Sequence, residues 1–165
     1  MDRRHLLAAF AATLPLGVIS MRVGAFTKDE KRYWREVLAP EAYAILIEEG
    51  TERAGSSPLN DEKRDGTFVC AACFLPLFSS QHKYDSGTGW PSFYDTLPDA
   101  VETKRDFKMI VPRTEYHCAR CGGHQGHVFG DGPEPTGKRY CNNGLALRFV
   151  PEGEPLPEAR LPGAG

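Results

Sequence analysis

Four of the five cysteines in this chain fall into two pairs with the spacing C-x-x-C. Cys70 and Cys73 form the first pair, and Cys118 and Cys121 form the second, with 44 residues between the pairs. Two intervening residues are typical of a tight turn that directs both sulfurs at one ion, and two such turns supply the four ligands of a closed zinc site. The sequence therefore predicts one structural Zn²⁺ ion held by four thiolates.

Two other assignments of these cysteines stay open at the level of sequence. In an exported protein the pairs could be disulfides, although two tight pairs plus an odd cysteine are more typical of zinc turns. A different metal site would use Cys118 and Cys121 with His124 and His127, but it would crowd its ligands into ten residues and leave the first pair unused. We therefore favour the site made of four cysteines.

Cys141 is the one cysteine outside the two pairs. A thiol is a better nucleophile as a thiolate, and Arg139 could favour that anion if both side chains lie on one face of a strand. His124 and His127 are close enough in sequence to supply protons. This combination indicates redox or acyl chemistry at sulfur. The alternatives are a buried, inert thiol and two hydrogen-bonded core histidines.

Length and composition favour a single domain of ordinary size. The 165 residues are 41% hydrophobic, which suits one core, and 17 glycines and 13 prolines indicate many turns and short strands. The formal net charge is -2, and no cluster of Lys and Arg stands out beyond the first few residues. A nucleic-acid partner is therefore not expected.

The first 25 residues have the pattern of an export signal. Arg3 and Arg4 precede an apolar run over residues 6–19, and small residues that suit a cleavage site end at Ala25. The pair resembles a twin-arginine signal, with Asp2 in place of the usual Ser or Thr. The run of 14 residues is short of the roughly 20 that a membrane span needs. We expect cleavage and a periplasmic protein without stable membrane insertion; the alternative is an uncleaved amino-terminal membrane anchor.

Two short helices should follow the signal. Thr27 and Glu30 form the pattern of a capping box, which predicts a helix through about Leu38. Pro40 suits the first turn of a second helix over residues 41–49, and the glycine that follows would end it.

The rest of the chain predicts antiparallel strands and turns. Residues 51–66 are polar and rich in turn signals, so we expect a surface loop there. Apolar and β-branched runs predict short strands over residues 67–70, 75–78, 107–111, 115–118, 127–129, 138–141 and 145–150. Prolines and glycines without periodicity indicate a solvated tail over residues 151–165. The expected domain therefore covers residues 26–150.

With these residues in place, the chain resembles the methionine-R-sulfoxide reductases of the B type. The resemblance covers residues 33–150 and rests on separated motifs in the right order: GTE, the two C-x-x-C steps, KYDSGTGWPSFY, HQGHVFGDGP and GKRYCNN. It implies a mainly β fold of two small antiparallel sheets, described as a β-tent, with short amino-terminal helices and a structural zinc ion. It also implies reduction of the R epimer of methionine sulfoxide, mainly within proteins, as a repair reaction.

The same resemblance implies roles for the candidate site residues, by match to those motifs. Cys141 is the nucleophile, whose sulfur attacks the sulfoxide sulfur and becomes a sulfenic acid. His124 and His127 donate protons to the oxygen. Composition alone would instead predict that Trp90 is an ordinary core residue, and only the resemblance gives it a role in the site. The remaining implied roles are a hydrogen bond to the oxygen from Asn143, support of the thiolate by Arg139, and a pocket for the substrate methyl group formed by Trp90 and Phe129.

The chain departs from the family pattern at Thr88, where many relatives carry a resolving cysteine. Four cysteines on zinc and one in catalysis leave none to form an internal disulfide. The sulfenic acid is therefore expected to be reduced directly by an external thiol, from a thioredoxin-like or glutaredoxin-like partner. We expect a monomer.

Three further departures lie close to the implied site. Asn142 replaces a usual aliphatic residue, Gly144 replaces a small hydroxyl residue, and Gln125 stands where leucine is common. They bear on substrate preference more than on the reaction. A second hypothesis, a zinc-bearing binding module of similar fold without catalysis, explains the four paired cysteines but gives no account of Cys141 together with Trp90.

Overall fold

The computed structural model describes residues 25–108 and 111–163. The predicted export signal over residues 1–25 lies outside these ranges except for its last residue, so it stays a prediction. Within the ranges that are described, no helix is long and apolar enough to cross a bilayer.

Two short helices begin the described chain, α1 (Lys28–Val37) and α2 (Pro40–Leu46). The predicted capping box is confirmed: the Thr27 hydroxyl accepts from the amide of Glu30 at 3.3 Å, and the Glu30 carboxylate accepts from the amide of Thr27 at 2.9 Å. Trp34 is the buried residue of α1. The helix is therefore attached to the core through one large side chain.

The second helix is shorter than predicted. Pro40 occupies its first turn, as expected, but α2 ends at Leu46 instead of residue 49. Glu49 adopts a positive φ of 55°, so the chain leaves helical geometry before the glycine is reached. The Gly50 amide then closes the helix end by donating to the Ala44 carbonyl at 2.9 Å.

The strands form two antiparallel sheets, which confirms the expected mainly β fold with amino-terminal helices. The three-stranded sheet has the order β2, β1, β9, with β1 (Gly66–Cys70), β2 (Pro76–Ser79) and β9 (Leu147–Pro151). The six-stranded sheet has the order β3, β4, β8, β7, β6, β5, with β3 (Lys83–Tyr84), β4 (Ser92–Phe93), β5 (Val101–Asp106), β6 (Arg113–Cys118), β7 (His124–Phe129) and β8 (Arg139–Asn142).

Aromatic side chains from the two sheets pack against one another in the core. Phe78 of the three-stranded sheet stacks on Phe93 of the six-stranded sheet, with ring centroids 4.1 Å apart. Phe68 meets Phe93 edge to face at 5.0 Å. All three are fully buried, and burial of one such side chain contributes about 1.5–3 kcal/mol. This packing fixes β4, which lies beside the strand that carries Cys141.

The strand predicted over residues 107–111 is wrong at its described positions 107, 108 and 111, whereas residues 109 and 110 lie outside the described residues. The strand is instead β5, which ends at Asp106, and Phe107 and Val111 lie outside it with 73% and 72% of their surface exposed. The sequence of β5 is mostly charged and has no apolar alternation, so apolar patterning gave no signal for it. It forms because β6 pairs with it along its full length, at a sheet edge where charged side chains reach solvent.

The carboxyl-terminal tail is exposed over residues 152–156, as expected of a solvated tail, but it is attached to the domain at Arg160. Arg160 docks on the turn between the first two cysteines, where its guanidinium donates to the carbonyls of Ala72 at 2.7 Å and Ala71 at 2.9 Å. The backbone amide of Arg160 donates to the carbonyl of Cys73 at 3.3 Å, and its guanidinium lies 4.6 Å from the centre of the Phe74 ring. One arginine in a segment without periodicity carries no sequence signal of such docking.

Candidate active site and metal centre

The four paired cysteines meet where the two sheets come together. Cys70 ends β1 and Cys118 ends β6, so each sheet contributes one turn to the cluster. The sulfurs of Cys70 and Cys121 are 3.7 Å apart, those of Cys73 and Cys118 are 3.5 Å apart, and all four lie within 4.8 Å of one another. A tetrahedral zinc site with Zn–S bonds of about 2.3 Å places its sulfurs about 3.8 Å apart. Four buried thiols at these separations fit a metal ion such as zinc.

The alternative uses of these residues do not match the geometry. All five cysteines are free thiols, so the pairs are not disulfides. His124 and His127 are engaged with carboxylates of the six-stranded sheet and take no part in the four-thiol cluster.

A second site surrounds Cys141, in a cavity of about 170 Å³. The cavity brings together six of the seven residues that the sequence assigned to catalysis or substrate binding: Trp90, His127, Phe129, Arg139, Cys141 and Asn143. The seventh, His124, lies outside this lining and faces a neighbouring cavity, which it shares with His127. Trp90 is half-buried and lines the cavity, so it is not simply a core residue.

Cys141 lies on β8, directly across from His127 on β7 and from Ser92 on β4. Burial raises the pKa of the Cys141 thiol above its usual value. The Thr88 hydroxyl, whose oxygen is 4.0 Å from the sulfur, and the charge of Arg139 both act to lower that pKa. Arg139 thus acts in the predicted direction, but burial outweighs it and the resting group is a thiol.

Arg139 is held in place from two sides. Its guanidinium donates two parallel hydrogen bonds to the carboxylate of Asp131, both at 2.8 Å, and it lies 4.3 Å from the centre of the Phe129 ring. A bidentate pair fixes the plane of the guanidinium as well as its position. The cation is therefore presented to the cavity in one orientation.

A bulge in β7 places both site histidines on one face of the sheet. Tyr116 pairs with Gly126 and His117 pairs with His124, so Gln125 is an extra residue in β7. Without it, residues three apart on a strand would point to opposite faces. With it, the rings of His124 and His127 meet edge to face, with centroids 5.5 Å apart.

Each of these histidines has its own carboxylate. The Nε2 atom of His127 lies 2.7 Å from the carboxylate of Asp106. The pKa of Asp106 is held well below its usual value, first by the Lys108 amide and then by His127. The Nδ1 atom of His124 lies 2.6 Å from Glu115. Burial acts to raise the pKa of Glu115, but its bonds to histidines prevail and lower it to about 2. Both acids are therefore ionised acceptors.

Glu52 is a buried carboxylate that joins Trp90, on one side of the cavity, to the segment after Cys141. Its side chain accepts from the amides of Gly144 at 2.6 Å and Leu145 at 3.1 Å. Its own amide donates to the Asn143 side chain at 3.1 Å, and its carbonyl accepts from the indole of Trp90 at 3.2 Å. One residue thus positions both Trp90 and Asn143.

The Asn143 side chain is bonded to backbone at both ends. Its oxygen accepts from Glu52, and its nitrogen donates to the carbonyl of Gln125 at 3.0 Å. The nitrogen carries a second hydrogen that a substrate oxygen could accept. The residue therefore has a positioning role, and the hydrogen bond to substrate implied by the resemblance stays a prediction.

The three departures noted in the sequence have local physical reasons. A side chain at Gly144 would collide with Ser57, because a Cβ there would lie 1.9 Å from the Ser57 hydroxyl oxygen. Gln125 and Asn142 are both fully buried and are hydrogen-bonded to each other at 3.5 Å. The two unusual amides are therefore partners.

Sequence reasoning missed three acidic residues of the site. Glu52 lies in a segment read as a surface loop, although its presence in the GTE motif was an available signal. Asp106 and Glu115 follow no motif and stand among other charged residues. Only the register of β5, β6 and β7 brings them to the histidines.

One thiol set apart in a cavity, with an imidazole opposite and a cation beside it, is an arrangement that suits chemistry at a single sulfur. Comparison with known proteins agrees with this class of chemistry. Residues 38–151 match the SelR domain model. The chain is 51% identical over 131 residues to the peptide methionine sulfoxide reductase MsrB of Methanosarcina barkeri, covering 79% of this chain and 92% of that protein.

Other relatives carry related names. The chain is 53% identical to the peptide methionine sulfoxide reductase MsrB of Thiobacillus denitrificans, over 72% of this chain and 91% of that protein. It is 48% identical to the chloroplastic peptide methionine sulfoxide reductase B1 of Arabidopsis thaliana, over 75% of this chain and 62% of that protein. The chain therefore belongs to the SelR family, which confirms the resemblance seen in its motifs.

The Glu52 contacts generate a stability prediction. Glu52→Ala leaves the buried amide of Gly144 and the part-buried amide of Leu145 without their acceptor and should lower the free energy of unfolding by about 2–3 kcal/mol. Urea unfolding followed by tryptophan fluorescence measures this. Glu48→Ala, at an exposed acid of the same charge, should change the free energy of unfolding by less than about 0.5 kcal/mol. Equal effects of the two substitutions would contradict the role of Glu52.

The raised pKa of Cys141 generates a pH prediction. Because the thiolate reacts and the thiol does not, alkylation of Cys141 by iodoacetamide should accelerate with pH to a midpoint above the usual value of about 8.5. Thr88→Val removes a hydrogen bond that lowers this pKa and should move the midpoint higher still. A midpoint near pH 7 in the unmodified protein would contradict the effect of burial.

Proposed function

We propose that this protein is a peptide methionine sulfoxide reductase that acts on the R epimer of the sulfoxide within oxidised proteins and so repairs them. The observation that carries the proposal is the position of Cys141, the one thiol outside the four-cysteine cluster, in a cavity with Trp90 and opposite His127. The family match supports the reaction. The choice of the R epimer rests on the resemblance alone.

In the proposed reaction, the sulfur of Cys141 attacks the sulfur of methionine sulfoxide. This attack forms an S–S bond, and the thiol proton moves to the sulfoxide oxygen. The S–S bond and the substrate S–O bond then break as the hydroxyl group passes to the Cys141 sulfur, and methionine leaves. The products are methionine and a Cys141 sulfenic acid, so the substrate is reduced by two electrons and the cysteine is oxidised by two. Two external thiol groups then restore Cys141 and release water and a disulfide.

His127 moves the proton in this proposal. Asp106 is ionised and can only accept, so Nε2 of His127 keeps its hydrogen and Nδ1 is the atom that exchanges a proton. Burial lowers the pKa of His127, which leaves the ring neutral and able to accept the thiol proton. The Asp106 charge then stabilises the transient imidazolium. His124, in contact with the His127 ring and held by Glu115, is the further proton source.

The walls of the cavity suit the substrate methyl group and the polar S–O bond. Trp90 and Phe129 provide aromatic surface for the methyl group, and Arg139 and Asn143 provide hydrogen-bond donors for the oxygen. A thioether lacks the oxygen that these donors bind. Methionine should therefore be held less strongly than its sulfoxide.

We propose Zn²⁺ as the ion of the four-cysteine cluster, because four thiolates are a ligand set of closed structural zinc sites. When bound, the ion supplies structural cross-linking and no chemistry of the reaction. The cysteines Cys70, Cys73, Cys118 and Cys121 hold it, and their burial keeps them apart from substrate.

The reductant is proposed to be an external dithiol. The four cluster cysteines and Cys141 account for all five cysteines, so no sixth thiol can form an internal disulfide with Cys141. A thioredoxin-like or glutaredoxin-like protein has the required chemistry. We further propose that the protein acts as a monomer.

Export to the periplasm is proposed from the sequence of residues 1–25. Amino-terminal sequencing of protein recovered from the cell envelope tests it. A start near Phe26 is expected, whereas an intact Met1 there would contradict cleavage.

The proposed reaction is tested by turnover of R and S sulfoxide peptides by the unmodified protein and by Cys141→Ser. We expect turnover of the R epimer alone and its complete loss in the variant, whose fold and metal content should be unchanged. Substrate without reductant should leave a sulfenic acid on Cys141, detectable by mass spectrometry after trapping. Turnover that survives Cys141→Ser would remove the proposed nucleophile.

Thr88→Cys provides a matched gain-of-function control. The Thr88 oxygen lies 4.0 Å from the Cys141 sulfur, so a thiol at this position should capture the sulfenic acid as a disulfide. The trapped species should then change from sulfenic acid to an internal disulfide. An internal Cys141 disulfide in the unmodified protein would refute direct reduction by an external thiol.

A further inference from the structure

Gln125 contacts both sites of the molecule. It is the extra residue of the β7 bulge and is fully buried. On one side, its amide nitrogen donates to the sulfur of Cys70 at 3.4 Å. On the other side, its amide oxygen accepts from Asn142 at 3.5 Å, and its backbone carbonyl accepts from the Asn143 amide at 2.8 Å. One residue therefore touches the metal-binding cluster and both residues that follow Cys141.

The contacts continue without a break to the neighbour of the nucleophile. Asn142 is also fully buried, accepts from the Tyr116 hydroxyl at 2.6 Å and donates to the Asn143 carbonyl at 2.7 Å. A buried amide costs free energy unless its donors and acceptors are partnered. Each of these side chains therefore holds its neighbours to a narrow range of positions, from Cys70 to Cys141.

The link to the cluster depends on the charge at sulfur. A thiolate that binds a metal ion carries negative charge and is a stronger hydrogen-bond acceptor than a neutral thiol. Groups that donate to metal ligands orient those ligands, and their loss weakens metal binding. The bond from Gln125 to Cys70 is such a contact, and it is made by the same side chain that positions the segment after the nucleophile.

We propose that Gln125 is a positioning residue that couples occupation of the four-cysteine cluster by a metal ion to the placement of Asn142 and Asn143 beside Cys141. The catalytic part of this inference rests on the proposed function, whereas the metal part does not. Because the same side chain contacts both Cys70 and Asn142, one substitution at Gln125 should affect both metal release and turnover.

The experiment uses the metal-loaded protein and Gln125→Met, which keeps the length of the side chain and removes the amide. Transfer of zinc to a chromogenic chelator measures metal release, and steady-state kinetics on an R sulfoxide peptide measures kcat and KM. We expect metal release to be roughly tenfold faster and kcat roughly tenfold lower, with KM within about twofold of the unmodified protein. If Gln125→Met does not bind metal, the same two rates are measured on Gln125→Leu, with the same changes expected.

Val150→Ala is the matched control, because it opens the core of the other sheet without touching Gln125. It should lower the denaturation midpoint while leaving metal release and kcat within about twofold. A change in only one of the two rates in Gln125→Met, or in neither, overturns the coupling. Cys141→Ser separates the two claims: it should abolish turnover at an unchanged rate of metal release, whereas surviving turnover would refute the proposed nucleophile alone.

Discussion

The four-thiol cluster is the constraint on which the rest of the structure depends. It joins the turn after β1 in one sheet to the turn after β6 in the other, so a bound ion would link the sheets at one end while the stacked Phe78 and Phe93 rings hold them in the core. A chain of this length buries one core of modest size, and such a cross-link adds to its stability. At the same end of the molecule, the Arg160 guanidinium donates hydrogen bonds to two carbonyls of the turn after β1.

The chemical site depends on irregularities that a regular sheet would not have. The β7 bulge brings His124 and His127 to one face, and β8 then places Cys141 opposite His127. Gly126 permits the close approach, because a Cβ there would lie 1.9 Å from the Cys141 carbonyl oxygen. Irregular strands next to reactive groups are a common way to re-aim side chains.

Much of the fold and site could be predicted from short-range patterns. The C-x-x-C spacing indicated the four-thiol cluster, the capping box indicated α1, and the lone Cys141 indicated the thiol that lies in the cavity. What failed were features set by partners distant in sequence. The charged strand β5 exists because β6 pairs with it, and Asp106 and Glu115 gain their importance only from that register. Likewise, no local pattern shows that Glu52 reaches residues 144 and 145, or that Arg160 docks on the first turn.

Five sulfurs divide two roles between them, and a combined assay of metal content and native thiol reactivity tests this division most directly. We expect one tightly bound metal ion and one reactive thiol per native chain, and five reactive thiols once the protein is denatured in the presence of a chelator. A purified protein without a metal ion, in which the five thiols are paired or react at equal rates, would contradict it.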